Sequence, residues 1–326
     1  MNILITGANG FVGRALCEHI SDKGLNPYGL VRKTQEHLNV KKQFIVENCL
    51  QHNDWEPILK GMEGVIHTAG LAHVKGRPDA DYFDINTEIT KKLALECIKS
   101  DVKRFVYISS THVHASSSRP HILTPQSSFN PKTAYGRSKL FAEQALREIE
   151  KNSSLEVVIV RPPLVYGPNV SGNVLTLLKA IQKGIPFPFA RTNNRRSMVF
   201  IKNLADALVL CTVHPKAKGH TFFVSDDKPL SIRELIQGLA NGMDTKAKFF
   251  HCPAFFMNIP FKLFGKSETL EKITGSLELD ISHIQKTLGW KPLISVEEGL
   301  AATARSFHLS KDAHSSSVQA RNPGPF

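Results

Sequence analysis

Tyr135 and Lys139 stand four positions apart, the interval that brings two side chains onto one face of a helix. A phenol with an ordinary pKa of about 10 exchanges protons poorly near neutrality. An ammonium beside it, and the positive nicotinamide if an oxidised pyridine nucleotide is bound, favour the phenolate and draw that value down. Upstream, a run rich in β-formers from Arg104 ends in Ser109-Ser110-Thr111, which sets hydroxyls where a strand's carboxyl end meets the crevice beyond a sheet. A hydroxyl there can hydrogen-bond a substrate oxygen and the phenol together. Ser110, Tyr135 and Lys139 are therefore candidates for moving a proton to or from an oxygen whose carbon changes oxidation state.

The chain also opens with a glycine-rich turn, Gly7-Ala8-Asn9-Gly10-Phe11-Val12-Gly13. It follows a strand candidate directly and begins a helix. Gly7 permits the tight turn, Gly10 lets backbone N–H groups approach a pyrophosphate, and Gly13 allows close helix–sheet packing. Its place at the first strand of a β-α-β unit favours dinucleotide binding over a plain turn. The second strand ends Gly29-Leu30-Val31-Arg32-Lys33, with no carboxylate for a ribose 2′-hydroxyl. Arg32 can stack on adenine and pair with a 2′-phosphate, and Lys33 adds charge. NADP(H) is the expected cofactor. NAD(H) is the alternative if the two cations are only solvated surface charges.

These groups need elements to hold them. β-Branched apolar runs at Asn2–Thr6, Pro27–Arg32, Gln43–Glu47, Gly64–His67, Arg104–Ser109 and Glu156–Val160 alternate with helical periods near Gly10–Asp22, Tyr82–Lys99 and Pro131–Lys151. That rhythm predicts an α/β fold, a doubly wound parallel, Rossmann-like sheet. After Arg161-Pro162-Pro163 the pattern loosens. Gly172–Gly184 and Asn203–Val213 look helical, Arg195–Ile201 and Phe222–Val224 strand-like, and Ser231 with Glu234 has the spacing of a capping box. A smaller mixed C-terminal lobe is expected. Residues 1–165 and 198–225 would form the dinucleotide-binding domain, 166–197 and 226–309 the substrate lobe, and 310–326 a disordered tail.

The 326 residues are 41% hydrophobic and 21% charged, which provides a core and excludes global disorder. A net charge of +12 suggests an anionic partner, but the cations are scattered. Five cysteines without a C-x-x-C pair argue against a disulfide framework and for a reducing compartment. No signal peptide or membrane-length apolar run is apparent, so a cytoplasmic protein is expected. The apolar segment Pro253–Phe264 reads as a helix packed within the small lobe. His112-x-His114 lacks further converging ligands, so no metal site is expected.

Taken together, the chain from Met1 to about Phe307 resembles the extended short-chain dehydrogenase/reductase family, the nucleotide-sugar epimerases, dehydratases and reductases. The resemblance rests on the glycine turn, His67-Thr68-Ala69-Gly70, Asn86, Tyr107-Ile108-Ser109-Ser110, Tyr135 with Lys139, Arg161-Pro162-Pro163-Leu164-Val165-Tyr166-Gly167-Pro168 and Leu288-Gly289-Trp290. It implies that Ser110, Tyr135 and Lys139 are catalytic, with Lys139 also holding the nicotinamide ribose. Asn48 and Cys49 would lie by the adenine, and Ala69, Gly70 and Leu71 by the cofactor diphosphate. Asn86 would belong to the cofactor site, and Pro162, Pro163 and Val165 would border the nicotinamide. Thr111, His112, Asn173, Val174 and Arg196 would join Ser110 in facing the substrate, a UDP-sugar. Two departures stand out. Lys272-Ile273-Thr274-Gly275-Ser276-Leu277 lacks the arginine of an Arg-x-Gly-Asp setting, and Val113-His114-Ala115 replaces Val-Tyr-Gly.

The basic end of the second strand points to a reductase that exchanges NADPH at each turnover, acting at C4 of a UDP-4-keto-6-deoxy-N-acetylhexosamine for surface polysaccharide. A UDP-hexose or UDP-GlcNAc 4-epimerase is the alternative, and a non-catalytic NADP-binding scaffold a remoter one. No nucleic acid partner and no membrane span are expected. A homodimer is implied by the resemblance, through the helix that continues from Lys139.

Overall fold

The computed structural model describes residues 1–72, 76–114, 122–252 and 274–319, with the backbone alone over 310–319. The first half alternates β1 (Asn2–Thr6), α1 (Phe11–Asp22), β2 (Asn26–Val31), β3 (Lys42–Ile45), α2 (Glu56–Leu59) and β4 (Gly64–His67). It continues with α3 (Asp79–Phe83), a π-helical turn (Asp84–Glu88), α4 (Ile89–Lys99), β5 (Arg104–Ile108), α5 (Ala134–Lys151) and β6 (Glu156–Arg161). The second half contains β7 (Leu164–Tyr166), α6 (Gly172–Gln182), β8 (Met198–Phe200), α7 (Ile201–Val213) and β9 (Thr221–Phe223). Three helices follow: α8 (Ile232–Asn241), α9 (Ser282–Leu288) and α10 (Val296–Gln319).

Seven strands form one parallel sheet in the order β3-β2-β1-β4-β5-β6-β9. The order turns back between β1 and β4, the switch point at which a crevice opens beyond the carboxyl ends. β1 and β4 are almost wholly buried, as strands covered on both faces must be. One face packs on α1, α7 and α9 through residues such as Ile5, Leu16, Leu208 and Trp290. The other packs on α2, α4 and α5 through Leu4, Leu93, Phe105 and Leu146.

A second core, around Phe187, Phe200, Ile236 and Leu300, belongs to the smaller lobe. α8 opens with the expected capping box: Ser231 Oγ accepts from Glu234 N–H, and the Glu234 carboxylate accepts from Ser231 N–H. The two lobes are tied by Asp226, which accepts from Tyr166 Oη at 2.7 Å, Asn203 Nδ2 at 2.8 Å and Phe200 N–H at 3.0 Å.

The structure departs from the sequence reading in several places. β2 ends at Val31, so Arg32 and Lys33 lead the following loop. The single helix expected over Tyr82–Lys99 begins at Asp79 and contains the π turn, which carries Asn86 and Thr87 inward. β7 was not apparent from sequence. It is three residues long, follows two prolines and pairs in parallel with β8 as a separate ribbon. Leu279, Ile281, Ile284 and Trp290 pack into the core beside the large sheet, although the boundary 226–309 assigns them to the lobe. α10 runs on to Gln319 through much of the segment expected to be a disordered tail. Pro253–Phe264, Ala115, Lys272, Ile273 and residues 320–326 lie outside the described residues.

Candidate active site

β1 delivers the glycine turn to the switch point. Gly7 has φ +65°, a conformation that favours glycine, and its N–H donates to Leu30 O on β2. Gly13 cannot be replaced, because a Cβ there would lie 2.2 Å from Gly7 O. Gly10 occupies the N-cap position of α1, and no side chain caps that helix. Its first N–H groups are thus left for a ligand, and the helix end carries partial positive charge. Phe11 and Val12 turn their side chains into the flanking cores, while Asn9 is exposed. This uncapped, side-chain-free cradle fits the pyrophosphate of a dinucleotide.

The floor of the crevice is built by a hydrogen-bond chain from which each proton's position follows. Thr90 Oγ1 donates to Asn86 O at 2.7 Å, so towards His67 Nε2, 2.9 Å away, it accepts. His67 therefore carries its proton on Nε2. Its Nδ1 accepts from Thr6 Oγ1 at 2.7 Å, and Thr6 Oγ1 in turn accepts from Ala69 N–H at 3.2 Å. His67 is 1% exposed, and burial with the nearby Lys139 charge holds its pKa down to about 3, so it is neutral. The sequence reading cited His67 only as part of a motif. Its function is to bind the ends of β1 and β4 to the π turn.

Asn86 completes this floor. Its Oδ1 accepts from Leu71 N–H at 2.7 Å, and its Nδ2 donates to Leu71 O at 3.0 Å and Ser138 Oγ at 2.9 Å. These bonds occupy its amide, so it shapes the 69–71 loop instead of offering a free side chain to a cofactor. Gly70 is exposed, and a Cβ on it would approach Asn86 Oδ1 at 3.0 Å and Lys139 Nζ at 3.3 Å.

α5 is capped by Thr133, whose Oγ1 accepts from Gly136 N–H at 3.1 Å. It presents Tyr135, Lys139 and Glu143 in successive turns. Lys139 Nζ donates to Ile108 O at 2.9 Å and lies 4.6 Å from the centre of the Tyr107 ring. Burial lowers its pKa from 10.5 to about 8, with Glu143 acting in the opposite direction. Ser110 Oγ accepts from His112 N–H at 3.2 Å and is hydrogen-bonded to Tyr135. The neighbouring Ser109 is buried with its Oγ unpartnered, so Ser110 is the serine that reaches the tyrosine.

One expectation is corrected. Burial raises the Tyr135 pKa above its ordinary value, and the hydrogen bond from Ser110 only moderates the rise. The Lys139 ammonium is directed at Ile108 O and the Tyr107 ring, and desolvation dominates at the phenol.

The other expected residues divide. His112 stands edge-on to Tyr135 with ring centres 5.6 Å apart, and Thr111 is buried just behind. His114 points away from the crevice. Its Nε2 accepts from Arg161 Nη1 at 2.9 Å, and its Nδ1 donates to Ser128 O at 3.2 Å. Arg161 in turn pairs with Glu143 in a buried ion pair, Nε to Oε1 at 2.9 Å. Pro162 and Pro163 are buried and Val165 half-buried beyond β6. Asn48 is exposed, with Oδ1 accepting from Leu50 N–H. Cys49 is half-buried, and burial raises its thiol pKa against the pull of Lys92 and Arg32.

In the lobe, Asn173 is exposed in the first turn of α6. Val174 is 1% exposed within the lobe core, so its side chain cannot face a substrate as expected. Arg196 is half-buried and donates one Nη1 bond to Gly275 O at 3.0 Å. That spends part of its fork on the segment where the second family arginine is missing.

A doubly wound sheet with a capless glycine turn at its switch point and a serine, tyrosine and lysine converging beside it defines a dinucleotide-dependent short-chain dehydrogenase/reductase. Residues 3–224 match the NAD dependent epimerase/dehydratase family, and the chain belongs to it. A UDP-glucose 4-epimerase of Vibrio cholerae is 39% identical over 94% of this chain and 95% of its own length. The N-acetyl-alpha-D-glucosaminyl-diphospho-ditrans,octacis-undecaprenol 4-epimerase of Escherichia coli O157:H7 is 26% identical over 95% and 97%. The fold is shared with UDP-glucuronic acid 4-epimerase from Bacillus cereus, solved with NAD, at TM-score 0.77 and 22% identity over 95% of this chain and 99% of that one. Among the described residues, no helix is long and apolar enough to cross a membrane.

Proposed function

We propose that this chain is an NADP(H)-dependent enzyme acting at C4 of a UDP-sugar, reducing a UDP-4-keto-6-deoxy-N-acetylhexosamine for surface polysaccharide. The observation that carries this reading is the basic loop after β2, where Arg32 and Lys33 stand in place of a carboxylate, beside the intact Ser110–Tyr135–Lys139 group. The cofactor supplies hydride exchange at its nicotinamide C4. Tyr135 passes its hydroxyl proton to the sugar O4, an act suited to a phenol kept protonated by burial. Ser110 orients that oxygen, and Lys139 holds the nicotinamide ribose. Gly7 to Gly13 and Ala69 to Leu71 line the pyrophosphate, Cys49 the adenine, and Pro162 to Val165 the nicotinamide. Asn173 and Arg196 bind the UDP diphosphate, and His112 borders the sugar. Phe141 and Leu95, exposed on α5 and α4, form a homodimer face.

A second reading, UDP-hexose or UDP-GlcNAc 4-epimerase, is favoured by the 39% identity to the Vibrio cholerae protein of that activity. The two separate in one experiment: incubation with UDP-4-keto-6-deoxy-N-acetylhexosamine plus NADPH, and with UDP-glucose or UDP-GlcNAc without added cofactor, with products identified by NMR. Stoichiometric NADPH oxidation with the keto-sugar supports the reductase. C4 inversion in the unsupplemented reaction supports the epimerase.

A further inference from the structure

We propose that Arg14 is a cofactor-selecting residue, a guanidinium that meets the adenosine 2′-phosphate from α1 opposite the basic loop after β2, an inference that rests on the NADP(H) reading above. Arg14 follows the last glycine of the turn and sits in the second turn of α1, exposed. Its Nε donates to Asn9 O within the glycine turn at 3.2 Å, and its Nη2 donates to Gln35 Oε1 at 3.2 Å. It thereby spans the gap between the pyrophosphate cradle and the loop leaving β2. An adenosine ribose held by this turn must present its 2′-position in that gap.

The loop on the far side is built, not slack. Gln35 N–H donates to Gln43 Oε1 at 2.9 Å, and Gln43 Nε2 donates back to Gln35 O at 2.7 Å. Two further bonds join Gln35 Nε2 to Lys33 O and Thr34 O. The tethers take two of the five Arg14 N–H donors and leave the others for an anion. No carboxylate occurs in 7–14 or in 32–35; Glu18, four residues along α1, and Glu36, beside Gln35, are the nearest in the chain, and no ion pair to Arg14 is formed among the described residues. Arg32, in the same loop, lies near enough to Cys49 to favour its thiolate. Arg14 on the helix and the loop that carries Arg32 and Lys33 thus bound the gap from its two sides. A planar fork matches phosphate geometry and gains nothing comparable from a hydroxyl.

The test measures binding, without turnover, to the full chain. Titration calorimetry with NADPH, NADH and adenosine 2′,5′-bisphosphate is run on the wild type, Arg14→Ala, Arg14→Lys and Arg32→Ala. The expected result is a wild-type preference for NADPH that falls about tenfold or more in Arg14→Ala. Affinity for the bisphosphate should fall in parallel, with partial recovery in Arg14→Lys. A wild-type preference that survives intact in Arg14→Ala overturns the role of Arg14 and leaves the NADP(H) reading standing. A wild type that binds NADH as tightly as NADPH overturns both.

Discussion

At the scale of single residues, the site depends on a charge held where charge is costly. Lys139 is 5% exposed, and its ammonium has an ordinary pKa of 10.5 lowered to about 8. The folded protein therefore loses that charge as pH rises through about 8, and catalysis that needs the ammonium falls there. The free enzyme should show a descending limb of kcat/KM near pH 8, shifted upward in Lys139→Arg, whose guanidinium stays protonated. A limb unmoved by that substitution would belong to another group. The same depression means that the unfolded chain binds more protons between about pH 8 and 10.5, so stability rises with pH across that window and flattens in Lys139→Met. Glu143 acts from one turn along the helix and raises the Lys139 pKa. Glu143→Gln should move the catalytic limb to lower pH. It also strips the buried Arg161 of its ionic partner, at a cost of about 3–5 kcal/mol read by urea denaturation.

Among elements, the join between β1, β4 and the π turn decides whether these side chains meet. His67 makes that join as a neutral imidazole with a pKa near 3, against an ordinary 6.5. Below pH 6.5 the unfolded chain takes up a proton that the folded chain refuses. Stability therefore falls from pH 6.5 toward 3, by up to about 1.4 kcal/mol per pH unit for this one group. His114, held down by burial and Arg161, adds in the same direction. His67→Phe should cost about 2 kcal/mol at pH 7, because Thr6 and Thr90 lose their partner, and should show a shallower acid decline. Denaturant titrations at pH 7, 6 and 5 read both effects.

The strands of this join were legible, since Asn2–Thr6 and Gly64–His67 are apolar runs bounded by turn residues. The join itself was not. A π turn differs from an α-helix by one residue in its hydrogen bonding and leaves no mark on hydrophobic period. Arg14 was equally hidden, because an exposed arginine on a helix reads as solvent-facing until its partners in two loops are seen. Ser110, Tyr135 and Lys139 were legible because their spacing is local to one strand end and one helix.

For the whole molecule, α4 and α5 each leave a large apolar side chain in solvent. Phe141 is 50% exposed and Leu95 41%, while Phe83 contacts the Phe141 ring with centres 5.7 Å apart. Large apolar side chains left exposed on helices that pack together are candidates for a contact surface. A two-fold dimer would set this face against itself, joining four helices across the axis. Tyr135 and Lys139 lie on the same α5 as Phe141, so such a contact would stiffen the helix that carries the pair proposed for proton transfer. Phe141→Glu places a charge on this face without touching the core, since the residue is exposed in the single chain. Light scattering after size exclusion should report twice the chain mass for the wild type and the single mass for Phe141→Glu. The monomer should retain the thermal unfolding of an intact fold but lose part of kcat, as α5 gains freedom. A wild type that runs as a monomer at micromolar concentration would leave α5 supported by its own lobe alone, and a glutamate variant that remains dimeric would place the subunit contact elsewhere.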